Sequence, residues 1–318
     1  MATDGTPHVA TAMDAADVKS ELLGLYRNVE FLTSGGFGSI YTAADQDDTV
    51  KILKVTQVCA LTEAHALTEE FNLMARLNHP NIAQVYNNFC VNQVLGFEMK
   101  IYPGGDLHDA IQQRIFTPLQ TLALACEILA GLAFIHWFRL VHRDIKPGNI
   151  LLDSGYRGVI SDFGLAIASD KIVFGEIHGT DGYIAPEVLN RMKYDTRADI
   201  WSFTRIVYAI ISREPFDPVR LHYDMVPICL RELVNNADYE NPTHRKPARW
   251  YTLAMIAADL VDLTKVSFRY KVCEDSDQSM CLSKTSQMLP TLSSGSEGLT
   301  DPISAGELED STLTCTYE

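Results

Sequence analysis

The 318-residue chain has little of the chemistry that holds structural metals or disulfides. Its seven cysteines are scattered with no CxxC pair, and its nine histidines show no metal-ligand spacing. An odd number of dispersed cysteines is typical of reduced thiols in an intracellular compartment. We therefore expect no structural metal site, and a location in the cytoplasm or the nucleus.

Basic residues are also scarce, because 26 Lys and Arg stand against 41 Asp and Glu and give a net charge of −15. A nucleic-acid binder needs a basic face that neutralises phosphates, so we expect no nucleic-acid partner. One apolar run, residues 122–138, resembles a membrane span but contains Glu127 and His136 and is short for a bilayer. We predict a buried helix there and no membrane partner.

The composition changes along the chain and suggests three parts. Residues 1–25 look like a loose leader with one short helical stretch. Residues 26–265 form the predicted folded domain, with strands first, a helix over residues 62–77 and mostly helical structure after residue 106. Residues 266–318 form an acidic tail rich in Ser and Thr, which we predict to be disordered because it offers little apolar surface to bury.

A glycine cluster separates the first two predicted strands, where residues 32–41 read LTSGGFGSIY. Glycines let a backbone turn approach phosphate oxygens closely and point N–H groups at them. Gly-rich hairpins are common, so this motif is weak evidence when it stands alone.

The next strand and the following helix carry candidate charged partners. Lys51 can pair with nucleotide phosphates, and Lys54 is a competitor three residues on. Glu70 in the predicted helix can hold such a lysine through an ion pair, with Glu63 and Glu69 as alternatives.

The strongest signal is VHRDIKPGNILLD, residues 141–153, followed by SDFGLA, residues 161–166. Asp144 is placed to accept the proton of an attacking hydroxyl, and Lys146 to neutralise charge on a transferring phosphoryl group. Asn149 and Asp162 supply the hard oxygen ligands that Mg²⁺ prefers. Phosphoryl transfer depends on positioning and charge neutralisation, so this set of residues fits it.

These motifs, with GTDGYIAPE (179–187) and DIWSF (199–203), resemble the eukaryotic protein kinases in content and order. The resemblance implies an α+β, two-lobed fold with ATP and Mg²⁺ in the cleft between the lobes. A β-rich N-lobe with one main helix would span about residues 26–102, and a mostly helical C-lobe about residues 103–265. The compact domain also resembles kinases of large DNA viruses, which would place it in a host cell.

The resemblance selects among the candidates and assigns further positions. It favours Glu70 over Glu63 and Glu69, and Lys51 over Lys54. It also makes Met99 the gatekeeper residue and Lys100 to Tyr102 the hinge beside adenine. It assigns these residues to nucleotide binding: Thr33, Ser34, Gly35, Gly36, Phe37, Gly38, Ile40, Lys51, Glu70, Lys100 and Tyr102.

Serine/threonine specificity is implied by Lys146 and by Thr180, which would hydrogen-bond Asp144 and Lys146. Other implied roles are structural: Phe163 completes a hydrophobic stack, Glu187 pairs with Arg245, and Asp199 braces the catalytic loop.

Several positions depart from the family pattern. Thr33 replaces the first glycine of the loop, and Thr49 replaces the alanine that lines the adenine pocket. Glu176 stands where many relatives carry an activating phosphothreonine, and we expect it to pair with Arg143. Asp106 could attract an arginine of a protein substrate, but Gly148 and Ala209 stand where arginine-selective relatives often have glutamates, so we expect at most a weakly basic preference.

Two other functions compete with that of a serine/threonine protein kinase. A pseudokinase would use the same fold as a scaffold, but such proteins usually lose Lys51, Asp144 or Asp162. A kinase of small molecules usually lacks the HRDxKPxN and APE motifs together. Both alternatives are less consistent with the sequence.

Overall fold

The computed structural model describes residues 14–35, 38–59, 61–173, 175–214 and 241–248. All of them belong to one compact unit, Met1–Leu260. A second unit, Val261–Glu318, includes the whole predicted acidic tail and lies outside the described residues.

The N-lobe is built on a five-stranded antiparallel sheet in the order β1-β2-β3-β5-β4. Its strands are β1 (Arg27–Gly35), β2 (Gly38–Ala44), β3 (Val50–Gln57), β4 (Val85–Val91) and β5 (Val94–Lys100). The polar turn between β2 and β3 is closed by the Asp45 side chain, which accepts hydrogen bonds from the backbone of Asp47 and Thr49 at 2.9 and 3.0 Å. Such local bonding is why aspartate favours turns.

Each face of the sheet packs against a different helix. The inner face carries Phe97 and Met99 and joins helix α2 (Leu61–Met74) in the main hydrophobic core. The outer face carries Leu53 and Val55 and packs in a second core cluster with helix α1 (Ala15–Leu22). We use the names inner face and outer face in this sense throughout.

Helix α1 corrects the expectation of a loose leader for residues 14–25, while residues 1–13 of that segment lie outside the described residues. The short helical stretch was predicted, but its Val18 and Leu22 are buried in the second core cluster. Asp14 begins the helix by accepting hydrogen bonds from the backbone of Ala16 and Asp17 at 2.8 and 2.9 Å. Burying two apolar side chains makes this helix part of the folded domain.

The C-lobe is mostly helical in its described part. Its helices are α3 (Leu107–Gln113), α4 (Pro118–Trp137), α5 (Pro186–Leu189) and α6 (Arg197–Ser212). Short strands β6 (Leu140–Val141) and β9 (Ile167–Ala168) pair with each other, as do β7 (Ile150–Leu152) and β8 (Gly158–Ile160). The 3₁₀ turns are Pro147–Asn149, Ser169–Lys171 and Pro242–His244.

Helix α4 contains the apolar run that resembles a membrane span. By length and composition it could cross a bilayer, with a mean hydropathy of 1.7 over its most apolar window. Its Leu124, Ile128, Leu132 and Ile135 are nevertheless buried in the main core. The helix packs on β8 and α6. The prediction of a buried helix is confirmed, and so is the two-lobed α+β fold.

Candidate active site

A buried lysine between two carboxylates links the N-lobe to the loop after β8. The Lys54 Nζ atom on β3 lies 2.7 Å from both carboxylate oxygens of Glu70 on α2 and 2.8 Å from Asp162 Oδ1. Burial alone would lower the pKa of Lys54, but the charges of Glu70 and Asp162 outweigh it and raise that pKa. Lys54 therefore carries a fixed positive charge at the inner face.

Asp162 is held ionised by the same contact. Burial would raise the pKa of its carboxyl, but the Lys54 charge and hydrogen bond, with smaller contributions from His142 and Lys146, keep it below the usual range. Burial, aided by Asp162, instead raises the pKa of Glu70 despite the Lys54 charge. A carboxylate that stays charged suits a divalent cation.

The catalytic-loop residues form one hydrogen-bonded group around Asp144. The Thr180 hydroxyl donates to Asp144 Oδ1 at 2.7 Å and accepts from Lys146 Nζ at 2.7 Å. Lys146 Nζ also lies 2.8 Å from Asp144 Oδ2, and Asn149 Nδ2 donates to that oxygen at 2.9 Å. The predicted contacts of Thr180 with both residues are confirmed.

Helix α6 holds the catalytic loop in position through the side chain of Asp199. Asp199 is fully buried, and its carboxylate accepts hydrogen bonds from the backbone N–H of His142 and Arg143 at 2.9 and 3.0 Å. His136 on α4 contacts the same carboxylate at 2.8 Å. Arg143 takes a left-handed φ of 70°, which costs energy for a side chain with a Cβ. The bracing role predicted for Asp199 is confirmed.

Two further predicted contacts are also present. Phe163 is buried in the main core, and its ring lies 4.8 Å from the His142 ring. The Arg245 guanidinium binds both carboxylate oxygens of Glu187 at 2.5 and 2.9 Å, with both side chains buried. Bidentate geometry of this kind fixes orientation as well as distance.

The glycine hairpin lies beside Lys54. Thr33 pairs with Ile40, Ser34 with Ser39 and Gly35 with Gly38 across the β1–β2 hairpin. Ile40 stands opposite Lys54 on β3, so the two share the inner face. Gly36 and Phe37, at the hairpin turn, lie outside the described residues.

Gly38 has a physical reason to be glycine. Its φ is +127°, and a Cβ there would lie 2.3 Å from the Val55 carbonyl oxygen. The close approach of β2 to β3 at the hairpin turn therefore leaves no room for a side chain.

The predicted hinge residues lie where β5 ends. Met99 is buried on the inner face, opposite Ile52 of β3, and Lys100 is the last residue of the strand. The Tyr102 hydroxyl accepts a hydrogen bond from the Gln84 backbone at 3.1 Å. These residues join the N-lobe sheet to α3, as a hinge would.

The family follows from a comparison with known proteins. The protein kinase domain family matches residues 26–272 of the chain. The chain belongs to the protein kinase family. The curated relatives of this kinase include the serine/threonine-protein kinase Nek5 of Mus musculus, 31% identical over 208 residues that cover 63% of the chain and 33% of that protein.

Two other relatives extend the comparison. The serine/threonine-protein kinase PLK4 of Drosophila willistoni is 28% identical over 76% of this kinase and 30% of its own length. Myosin light chain kinase A of Dictyostelium discoideum is 29% identical over 70% of this kinase and 77% of its own length. The kinase thus spans about a third of Nek5 and PLK4.

The prediction that Lys51 is the kinase's strand lysine is wrong. Lys51 Nζ lies 2.8 Å from Glu98 Oε2 and 2.9 Å from Asp45 Oδ2, at the outer face. Successive residues of a strand point to opposite faces, so residues three apart cannot both reach the inner face. Lys54, the competitor named from the sequence, occupies the position beside Glu70, while the selection of Glu70 is supported.

With Lys54 as the strand lysine, the position that the resemblance assigned to the adenine side of the site also moves. The family's alanine stands two residues before the strand lysine, so Ile52 replaces it, not Thr49. Ile52 is partly buried against the main core and shares the inner face with Lys54.

Glu176 and Asp106, the two acids singled out for regulation and substrate preference, both contact residues of this chain. Glu176 lies 2.9 Å from His178, while Arg143 Nε donates to the Leu165 carbonyl at 2.5 Å, so the expected Glu176–Arg143 pair is not formed. Asp106 caps α3 by accepting a hydrogen bond from the Asp109 backbone at 2.9 Å. Glu176 is thus engaged by His178 and not by Arg143, and one oxygen of Asp106 is engaged in the helix cap.

Proposed function

We propose that this kinase transfers the γ-phosphate of ATP to serine and threonine hydroxyls of proteins. The observation that carries the proposal is the group formed by Asp144, Lys146 and Thr180, described above. A carboxylate, an ammonium and a hydroxyl within 2.8 Å of one another provide a base, a positive charge and a positioning group. Phosphoryl transfer needs little else from the protein besides nucleotide and metal binding.

Asp144 is the proposed general base. Its carboxylate would accept the proton of the acceptor hydroxyl as the oxygen attacks phosphorus. Lys146 would neutralise charge on the oxygens of the group in transfer, a contribution that is largest where water is excluded. Thr180 holds both side chains in place. The sequence DIKPGN, residues 144–149, supports a serine or threonine acceptor.

Asn149 and Asp162 are the proposed Mg²⁺ ligands. Their oxygens would hold Mg²⁺ bound with the nucleotide, and the charge of the ion would offset that of the phosphates. Asn149 donates its amide hydrogens to the Asp144 side chain and backbone, which leaves its carbonyl oxygen for a cation. Within the described residues no group of three His, Cys, Asp or Glu could hold a metal alone. The donor set thus fits a cation shared with phosphates.

Lys54 and the glycine hairpin are the proposed phosphate-binding elements. The Lys54 charge lies between the hairpin and Asp162, where it can pair with the α- and β-phosphates. Met99, Lys100 and Tyr102 would border the base. For the protein acceptor we propose at most a weakly basic preference, because one Asp106 oxygen is occupied by the α3 cap.

The experiment compares phosphate transfer by the wild type and Asp144→Asn, with Mg²⁺-ATP and a generic protein acceptor. We expect the variant to lose about 10²–10⁴-fold in rate, as is usual when a general base is removed. Asp170→Asn, an exposed acid in the 3₁₀ turn after β9, is the matched control and should retain activity. Phosphoamino-acid analysis then distinguishes Ser/Thr from Tyr acceptors.

A pseudokinase would give a different result. Nucleotide binding without transfer, equal in the wild type and Asp144→Asn, would contradict the proposal and favour a scaffold that binds ATP. Transfer to a small molecule but to no protein would contradict it as well.

A further inference from the structure

The outer face of the N-lobe sheet carries a buried polar cluster that the catalytic motifs do not include. Its centre is Glu98 on β5, which is 7% exposed. Glu98 Oε1 accepts a hydrogen bond from the Tyr26 hydroxyl at 2.8 Å. Its Oε2 accepts from Lys51 Nζ at 2.8 Å and from Asn87 Nδ2 at 3.2 Å. We call Tyr26, Lys51, Asn87 and Glu98 the outer-face cluster.

The cluster connects four segments of the N-lobe. Tyr26 comes just before β1, Lys51 is on β3, Asn87 on β4 and Glu98 on β5. Lys51 also binds Asp45 in the β2–β3 turn at 2.9 Å. A buried charge that lost one of these donors would be costly, so the contacts resist sliding of the strands against one another.

The same strands carry the nucleotide site on their other face. On β3, Lys54 follows Leu53, the residue paired with Glu98. On β5, Glu98 directly precedes Met99 and Lys100, which lie opposite Ile52 and Lys51. Any shift of β5 against β3 at Glu98 would therefore move the proposed hinge relative to the proposed phosphate-binding lysine.

We propose that the outer-face cluster positions the nucleotide site through the β3–β5 pair, with Glu98 as the principal positioning residue. Glu98 touches no substrate in this scheme and acts through Lys51 and Tyr26 on the strand register. The inference rests on the proposed function, since it concerns the same ATP site.

The test is the dissociation constant of Mg²⁺-ATP, measured by calorimetry, for the wild type and Tyr26→Phe. The variant removes one hydroxyl and keeps the ring, which packs against Phe89 with centroids 5.4 Å apart. We expect ATP to bind about 3–10-fold more weakly, the range that corresponds to the net free energy of one hydrogen bond. The kcat at saturating ATP should change little, because Asp144 and Lys146 are untouched.

Tyr41→Phe is the matched control. Tyr41, like Tyr26, is buried in the second core cluster, and its hydroxyl contacts the Ala15 carbonyl of α1 at 3.5 Å rather than β5. This variant should bind ATP as the wild type does. Glu98→Gln keeps an acceptor oxygen for Tyr26, so it should weaken binding less than Glu98→Ala.

The outcomes are distinct. Weaker ATP binding in Tyr26→Phe but not in Tyr41→Phe supports the inference. Unchanged binding in Tyr26→Phe, or equal losses in both variants, overturns it and leaves the cluster a structural role only. If the wild type binds no Mg²⁺-ATP, the proposed function fails too, whereas normal binding with an insensitive Tyr26→Phe refutes this inference alone.

Discussion

The two faces of the N-lobe sheet each present a lysine between two carboxylates. At the inner face Lys54 contacts Glu70 and Asp162, and at the outer face Lys51 contacts Glu98 and Asp45. Both lysines are largely buried, with 9% and 14% of their side chains exposed.

The difference between the faces lies in what surrounds each lysine. Lys54 faces the glycine hairpin across β2 and reaches the loop after β8 in the C-lobe. Among the described residues, the ion-pair partners of Lys51 are in the N-lobe, and Leu53, the next outer-face residue of β3, packs in the same core cluster as α1. In the proposed scheme, similar charge groups bind the nucleotide on one face of the sheet and hold the strands together on the other.

The largest expected effect is on the rate of phosphate transfer, which should differ between variants of Lys54 and Lys51. Lys54→Met should lower the rate of phosphate transfer by about 100-fold or more, the scale seen when one preorganised charge-stabilising group is removed. Lys51→Met should stay within about tenfold of the wild type, because it removes no contact at the inner face. Transfer assays at saturating acceptor measure both. A more severe loss in Lys51→Met would reverse the assignment made from the structure.

The second expected effect concerns stability at the outer face. Leu22 of α1 is fully buried, so Leu22→Ala should lower the free energy of unfolding by about 2–3 kcal/mol. The neighbouring Leu23 is 52% exposed, so Leu23→Ala should change it by less than about 0.5 kcal/mol. Urea denaturation of the two variants gives the difference. Equal, small effects would show that α1 adds nothing to the outer face.

The smallest expected effect is a change in the pKa of Asp45. Hydrogen bonds from Lys51 and the Thr49 backbone lower the pKa of Asp45, and Lys54 lowers that of Asp162. A lowered folded pKa stabilises the protein at neutral pH, and this contribution is lost as the pH falls through that folded value. In NMR titrations, Lys51→Met should raise the pKa of Asp45 and leave that of Asp162 lowered. A change at Asp162 instead would show that the two faces are electrostatically coupled.

Much of the architecture and the catalytic loop was predictable from the sequence. The contacts of Asp144, Lys146 and Thr180, the Glu187–Arg245 pair and the Asp199 brace all involve residues of motifs that resemble those of the family. The hairpin strands and α2 follow from patterns that depend on neighbouring residues only.

The strand lysine was missed because the sequence pattern around it is ambiguous. Lys51 and Lys54 both lie on β3, and a lysine preceded by Thr and Val resembles the family motif closely enough. The decisive signal was the parity of the strand: Lys54 alternates with Ile52 on the face shared by Ile40, whereas Lys51 alternates with the fully buried Leu53.

The burial of α1 could not be predicted from the sequence for a different reason. Val18 and Leu22 are two apolar residues in a polar stretch, and such a short stripe does not predict burial. Its partners, Leu53, Val55 and Val94, are distant in sequence and meet it only in the folded sheet.

The hydrogen bond from Thr180 to Asp144 affects how the kinase binds a protein acceptor. The Thr180 hydroxyl already satisfies one oxygen of Asp144, while Lys146 and Asn149 satisfy the other. An arriving serine or threonine must therefore exchange hydrogen bonds at this carboxylate, and an exchange adds little net affinity. Recognition of the acceptor must then be distributed over surfaces away from the reacting atoms, so peptides trimmed to the target residue should make poor substrates for this kinase.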